Sequence, residues 1–180
     1  MMRWVIAIFV MLISAISSHF VTLHLVPSVI MNAVQVRMAD NGIPLYQWIT
    51  SPRMTPQTQI IVRPSPDLSY AICRFNIREG SVLISAPGWE GYGSLSIFDS
   101  RTNNVFVANL DGESAGVLLY HPTEPAKGED RFYIRKGEET VAFSGEGLAL
   151  IRRVAPNNQK HEEAAKLVTQ AVCSPTNWTP

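Results

Sequence analysis

The chain lacks a surplus of charge of either sign. Its 180 residues include 15 Lys plus Arg and 15 Asp plus Glu, which gives a formal net charge of +0 at pH 7. The basic residues are also scattered along the chain rather than clustered. Because binding to nucleic-acid phosphates requires a basic surplus, we expect no nucleic-acid partner.

The chain also lacks the motifs of common nucleotide-binding and hydrolytic enzymes. It contains no P-loop, no dinucleotide-binding glycine pattern, no G-x-S-x-G turn and no H-E-x-x-H pair. Beyond residue 30, histidine occurs only as His121 and His161. Neither has an identifiable acidic partner, so we interpret both as solvated surface residues. We therefore expect no cofactor, and the sequence favours a non-enzymatic protein while leaving an enzyme open.

Cysteine is limited to Cys73 and Cys173. The two lack the spacing of metal ligands, so we expect no metal site. In an exported compartment they could form one disulfide, which requires Cα atoms within about 7 Å. Cys73 lies in an apolar strand pattern, however, where a lone cysteine is often a small buried hydrophobe. Both alternatives stay open at this stage.

Charged residues are absent from Trp4–Val26, which is the one long apolar run. About 20 such residues cross a hydrocarbon core of about 30 Å. A cleaved signal peptide is the alternative, with a passable cleavage site at residues 15–17. Renewed apolar character over Phe20–Val26 favours an uncleaved anchor. Arg3 precedes the run, so the positive-inside rule predicts a cytoplasmic amino terminus and export of residues beyond about 30.

The rest of the chain is rich in short β-type segments separated by turn residues. Each segment contains Val, Ile, Leu, Phe or Tyr, and Ser94–Phe98 alternates as a half-buried strand does. Even spacing predicts a mainly β fold, an antiparallel sandwich or jelly-roll-like domain. The predicted strands are Gln59–Arg63, Tyr70–Asn76, Ser81–Ala86, Ser94–Phe98, Val105–Asn109, Gly116–Tyr120, Phe132–Arg135, Thr140–Phe143 and Gly147–Val154.

A carboxy-terminal helix follows the last predicted strand. Asn157 and Asn158 can cap it, and the apolar residues after them recur at helical spacing. We expect about 15 residues of helix, ending at Cys173, packed on the sheet. The chain is thus divided into an anchor or signal peptide (1–30), a linker and lead-in (31–58), an exported β-rich domain with its terminal helix (59–173) and a loose tail (174–180).

Five polar residues near strand ends are the best catalytic candidates, because sites are often built on loops at such positions. If two of their carboxylates converge in a pocket, a hydrolase or another small-molecule enzyme gains support. The alternative is that each aspartate caps its own turn. The five are Asp67, Tyr70, Asp99, Thr102 and Asn103.

The glycine-rich stretch Gly88–Gly93 contains Trp89 and Tyr92. A strand rather than a helix is predicted after it, so it is not a phosphate cradle. As an exposed turn it would present two aromatic rings to a partner protein, a glycan or a lipid surface. The alternative is that the rings fold back onto the sheet.

Residues 66–70, 79–87 and 92–103 together resemble the bacterial domain-of-unknown-function family 1254. Its members read Asn-x-Asp-x-x-Tyr, then Gly-Pro before a hydrophobic strand, then Pro, Gly-Arg-Tyr, a strand and Asp-x-x-Thr-Asn. The chain departs from this pattern at Ser65, Ser81 and Gly91, where Asn, Pro and Arg are usual. It keeps Asp67, Tyr70, Pro87, Tyr92, Asp99, Thr102 and Asn103.

The resemblance covers about residues 55–155 and implies a mainly β fold, but no reaction. Long members carry a second domain, of domain-of-unknown-function family 1214. A short member would be a membrane-anchored envelope protein working beside a separate family 1214 protein. We therefore expect a single-pass protein of the bacterial inner membrane, with its domain in the periplasm.

Overall fold

The computed structural model describes residues 2–55, 64–120, 131–134, 140–142 and 145–176. Two helices and ten strands are formed by these residues. In chain order they are α1 (Met2–Asp40), β1 (Trp48–Thr50), β2 (Leu68–Asn76), β3 (Ser81–Ala86), β4 (Gly93–Phe98), β5 (Asn104–Asn109), β6 (Ala115–Tyr120), β7 (Arg131–Ile134), β8 (Thr140–Ala142), β9 (Glu146–Val154), α2 (Asn158–Leu167) and β10 (Val172–Thr176).

The described strands pair antiparallel in two sheets of five. Sheet A has the order β1-β2-β9-β4-β5, and sheet B has the order β10-β3-β6-β7-β8. Side chains from both sheets form one buried core, with Phe75 and Ile151 from sheet A and Ile84 and Val117 from sheet B. This sandwich-like arrangement, with a long amino-terminal helix and a short carboxy-terminal one, confirms the predicted fold class.

Strands β2 and β9 are neighbouring interior strands of sheet A, and both alternate between buried residues and half-buried or exposed ones. Their inward positions include Cys73, Phe75 and Ile151, while Ile72 and Leu150 lie on the outer face. Buried residues therefore occur at every second position, as expected for a sheet that packs one face on the core.

Most predicted strands are found within one or two residues of their expected bounds. Gln59–Arg63 lies outside the described residues, as do the ends of the segments predicted at 132–135 and 140–143. The structure adds β1, in the segment expected to be a linker, and β10, where the end of a helix and a loose tail were expected.

The carboxy-terminal helix is shorter than predicted. Asn157 caps it, its side chain accepting a hydrogen bond from Lys160 N. The helix ends at Leu167, passes through a 3-10 turn at Val168–Gln170, and gives way to β10, which pairs with β3. The apolar spacing continues past Leu167, but the open edge of β3 offers hydrogen-bond partners that only the folded sheet can supply.

Helix α1 is longer than the predicted anchor and extends through Pro27 to Asp40. Among the described residues it is the one helix long and apolar enough to cross a membrane. Residues 2–26 are exposed throughout. From residue 27 onward one face is covered, with Met31 and Gln35 buried and Val34 and Met38 half-buried, at the spacing of a single helical face.

Candidate functional site

Asp99 belongs to a closed turn between β4 and β5 and is only 4% exposed. Its Oδ1 atom accepts hydrogen bonds from the backbone N–H groups of Arg101 and Asn103, both at 2.8 Å. Its Oδ2 atom accepts one from Asn103 Nδ2 at 2.8 Å. Thr102 takes the left-handed conformation that closes the turn, with φ of 65°. The Asp-x-x-Thr-Asn motif is thus a self-contained turn in which the carboxylate serves the backbone.

Asp67 lies at the other end of sheet A, on the surface just before β2. Its carbonyl accepts a hydrogen bond from Ala155 N at 2.7 Å, and its N–H donates to Ser65 Oγ at 3.4 Å. Tyr70 is half-buried, and its hydroxyl accepts a hydrogen bond from Ser65 N at 2.9 Å. These two candidates therefore hold the entry into β2.

The two aspartates do not converge. Asp67 adjoins Leu68, which pairs with Val154 at the end of β9, whereas Asp99 follows Phe98, which pairs with Leu148. Those partners are six positions apart along β9, which is about 20 Å of extended strand. The structure brings Asp99, Thr102 and Asn103 together but leaves Asp67 and Tyr70 apart from them. A hydrolytic site shared by the five candidates is therefore not supported.

Of the two alternatives left open for Trp89, the exposed turn is wrong, and the ring folds back onto the domain. The side chain is 7% exposed, and its Nε1 atom donates a hydrogen bond to Val154 O at 3.0 Å. The Arg153 guanidinium and the Lys160 ammonium lie 5.8 Å and 5.5 Å from the ring centroid. These cations favour the ring face, so the indole is held between β9 and α2. Tyr92 stays on the surface, 49% exposed, so the turn presents one ring rather than two.

Arg153, beneath Trp89, is a buried cation that the sequence reading did not single out. It is 1% exposed and donates hydrogen bonds to Pro87 O at 2.9 Å and Ala164 O at 3.4 Å. Its Nε atom has no hydrogen-bond partner in the described part of the chain. Burial lowers the pKa of Arg153 well below its usual value, to about 10, so the side chain stays charged at neutral pH. The alternation of β9 places Arg153 on the same face as Ile151, and this pattern could have predicted its burial.

Cys73 and Cys173 form a disulfide, with Cα atoms 6.6 Å apart. That distance meets the geometric condition stated from the sequence. Cys73 lies on β2 of sheet A and Cys173 on β10 of sheet B, so the bond joins the two sheets across 100 residues of chain.

A small open cleft of about 230 Å³ lies between β1 and the end of α2. Its lining includes Trp48, Thr50 and Val168, and the Trp48 Nε1 atom is buried without a described partner. His161 on α2 is half-buried rather than solvated as expected. Burial lowers the pKa of His161, and the nearby Arg53 cation lowers it further. His121 lies outside the described residues.

A polar cluster lies at the junction between α1 and the β domain, which we call the tether junction. The buried Gln35 side chain donates through Nε2 to Gly147 O at 3.0 Å and accepts from Arg74 Nε at 2.7 Å. Arg74 also donates through Nη1 to Ile43 O at 2.7 Å, so it clamps the chain just after α1. A Cβ at Gly147 would lie 2.5 Å from Phe98 O, so only glycine fits in this register.

The tether junction was missed because its residues are ordinary in sequence. Gln35 lies in the segment assigned to a linker, and Arg74 in a strand pattern, where a long polar side chain reads as solvated. Gln35 is buried although the other faces of α1 are exposed, and this burial identifies the contact between the helix and the β domain. No grouping of three or more His, Cys, Asp or Glu that could hold a metal occurs in the described ranges.

Comparison with solved structures finds the VPA0106 protein of Vibrio parahaemolyticus, at a TM-score of 0.54 and 12% identity. The match covers 86% of this chain and 39% of that chain, so this protein spans well under half the length of its structural neighbour. At such low identity the likeness concerns the fold alone. A comparison with curated proteins finds no significant match. The sequence profile of the family described as "Protein of unknown function (DUF1254)" matches residues 47–175, and the chain therefore belongs to that family.

Proposed function

We propose that this protein is a membrane-tethered, periplasm-facing domain that acts through a partner protein. The observation that carries the proposal is the tether junction, where a helix with an exposed apolar half is fastened to the β domain by a buried glutamine. A tether that merely delivered the domain to the membrane could be joined by a flexible linker. A docked tether also fixes the distance and orientation of the domain.

The length of the helix supports a domain held close to the bilayer. The apolar run ends at Val26, and Gln35 follows nine residues later, a rise of about 14 Å along a helix. Met31 is already buried about 7 Å beyond Val26. The domain surface near the tether junction therefore lies beside the headgroups, where encounters with other membrane-bound proteins gain from a high effective concentration.

The charge and cysteine chemistry support the periplasmic side. Arg3 lies before the apolar run, which favours a cytoplasmic amino terminus under the positive-inside rule. The disulfide between the sheets suits an oxidising compartment. We therefore assign the domain to the periplasmic face of a bacterial inner membrane.

The family resemblance suggests the class of partner to test. The structural neighbour is much longer than this chain, which matches 39% of it. The family resemblance implies that long members continue into a family 1214 domain. We infer that a family 1214 protein is the partner of this domain.

The test is co-purification of the full-length chain with the family 1214 protein of the same bacterium, both expressed in its membranes. We expect a stoichiometric complex, and weaker recovery when Gln35→Ala loosens the tether junction. Val36→Ala is the matched control, because Val36 is 51% exposed on the same helix. Failure of the wild-type chain to recover the partner would overturn the proposal.

The tether itself is tested separately. We expect the full-length chain to remain in the membrane fraction after carbonate washing. An intact mass corresponding to a mature chain that begins near residues 16–20 would show a cleaved signal peptide instead. The mature protein would then have no membrane tether, and the proposal would fail.

A further inference from the structure

Strand β5 ends sheet A and has an unpaired backbone edge in the described part of the chain. Leu110 N donates to Gly93 O at 2.9 Å, and the ladder continues with Leu95 opposite Ala108. In an antiparallel pair, alternate residues direct their N–H and C=O groups to the neighbouring strand. The groups of Val105, Val107 and Asn109 therefore point outward, and we call this row the β5 edge.

Among the described residues, no lysine, proline or covering element blocks the β5 edge. Proteins protect exposed edges with lysines, prolines, bulges or a covering element. β5 reads Asn-Val-Phe-Val-Ala-Asn, six residues without charge or proline, and its one register irregularity lies at its start, opposite Ile97 and Phe98. Val107, at the centre of the outward row, is 54% exposed. Such an edge is a ready template for another strand.

We propose that the β5 edge pairs antiparallel with the β5 edge of a second copy of this chain. In the register centred on Val107, that residue lies opposite Val107 of the second copy, and Val105 lies opposite Asn109. All outward groups then face outward groups, and about six main-chain hydrogen bonds form. Because the paired positions have the same parity, inner and outer faces also stay continuous across the two-fold axis.

The charges at the two ends of β5 select a second copy as the occupant. Arg101 is exposed in the turn before the strand, and Asp111 and Glu113 are exposed in the turn after it. Antiparallel pairing places the start of one β5 beside the end of the other. Each Arg101 therefore approaches the acidic turn of the other copy, and symmetry makes this contact twice. An unrelated strand would have no reason to match this cation-to-anion order.

The tether leaves this edge accessible. Gln35 contacts Arg74 on β2 and Gly147 on β9, whereas β5 lies beyond β4 on the other side of the sheet. The pairing does not depend on the partner proposed above, because it uses a different part of the domain.

Cysteine cross-linking in membranes that contain the full-length chain tests the register. Residues that form a hydrogen-bonded pair have Cα atoms about 5.5 Å apart, within disulfide range. We expect Val107→Cys to form a covalent dimer under mild oxidation. Val105→Cys or Asn109→Cys alone should not do so, because each lies about 13 Å from its own symmetry mate. Mixing the Val105→Cys and Asn109→Cys chains should restore the cross-link.

A charge substitution tests the interface without cysteine. Val107→Lys puts two ammonium groups opposite each other, and we expect loss of the dimer in native mass spectrometry of the full chain. Leu83→Lys is the control, because Leu83 is 39% exposed on β3 of the other sheet and should leave the dimer intact. Arg101→Glu should weaken the dimer, and adding Asp111→Lys and Glu113→Lys should restore it.

The proposal is overturned if Val107→Cys gives no dimer, or if Asn109→Cys alone cross-links as well as Val107→Cys. It is also overturned if Val107→Cys is trapped by another protein in place of its own copy. Association through α1 alone would leave all three cysteine variants equally cross-linked or equally free, and so would count against the register.

Discussion

Sheet A ends at one side in β1 and at the other in β5, and these two edges differ in length, cover and composition. β1 has three half-buried residues and lies beside Val168 at the end of α2. β5 has six residues, and its outward row is open in the described structure. The chain packs the end of its carboxy-terminal helix beside the first edge, whereas the described residues leave the second edge open. We infer that stabilising contacts concentrate on the β1 side and association on the β5 side.

The largest expected effect is on the contacts that hold α2. Trp89→Ala removes an indole that is buried against Arg153 and Lys160, and we expect a loss of about 3–5 kcal/mol in the free energy of unfolding. That corresponds to roughly 10 °C in Tm, measured by thermal unfolding of the detergent-solubilised full chain. Tyr92→Ala is the control in the same turn, and its exposed ring should change Tm little. Equal shifts for the two variants would contradict the assignment of Trp89 to the core.

The disulfide should have the next largest effect, because it ties the second strand of sheet A to β10. Replacing both Cys73 and Cys173 by alanine should lower the free energy of unfolding by about 2–5 kcal/mol. The residues are 0% and 6% exposed, so alanine adds no polar group to the core. The measurement is the urea midpoint of the wild-type and double-alanine chains. A wild-type midpoint that reducing agent leaves unchanged, with reduction verified by mass, would count against this role.

A smaller effect of pH is expected on the β1 side through His161. Its pKa is lowered from 6.5 in the fold, so the unfolded chain binds the proton more tightly. The stability contribution is therefore present above about pH 6.5 and is lost as the pH falls toward the lowered value. We expect the decrease in Tm between pH 7.5 and pH 5.5 to be smaller in His161→Gln than in the wild type. Identical decreases would show that His161 is not the group responsible.

The smallest effect on stability is expected at the open edge. Val107→Lys should change the free energy of unfolding of the monomer by no more than about 0.5 kcal/mol, because Val107 is largely exposed. Ile49→Lys on β1 should cost clearly more, because Ile49 is half-buried beside α2. Comparison of the two urea midpoints under dilute, monomeric conditions measures the difference between the edges. If Val107→Lys lowers the free energy of unfolding as much as Ile49→Lys does, the inferred difference between the two edges of sheet A is wrong.

Much of the fold was predictable because its signals are local. Ser81–Ala86 and Ser94–Phe98 were located from apolar runs between turn residues, and the structure has them as β3 and β4 with at most one residue of difference. β1 and β10 were not predicted, because neither segment carries such a local signal. Each is short, and each becomes a strand only through the partner that the fold brings to it, β2 for Trp48–Thr50 and β3 for Val172–Thr176.

The candidate site was less predictable. The Asp-x-x-Thr-Asn motif stood out because its residues are chemically versatile, and the structure uses that chemistry to close a turn. Trp89 has the same local sequence environment as Tyr92, yet one ring is buried and the other is exposed. Which ring turns inward depends on Arg153 and Lys160, which lie more than 60 residues away along the chain.

The sequence by itself determined the exposed apolar helix, the mainly β domain and the family. Composition, the spacing of apolar residues and turn chemistry are properties of neighbouring residues, so they can be recognised without knowledge of the fold. Only the tertiary structure decided that Gln35 fastens the helix to the domain and that Asp67 and Asp99 lie at opposite ends of β9. It also decided that, among the described residues, the β1 edge of sheet A has the end of α2 beside it and the β5 edge is open. Those outcomes depend on contacts between residues that are distant in the chain, such as Gln35 with Gly147, and no local pattern specifies them.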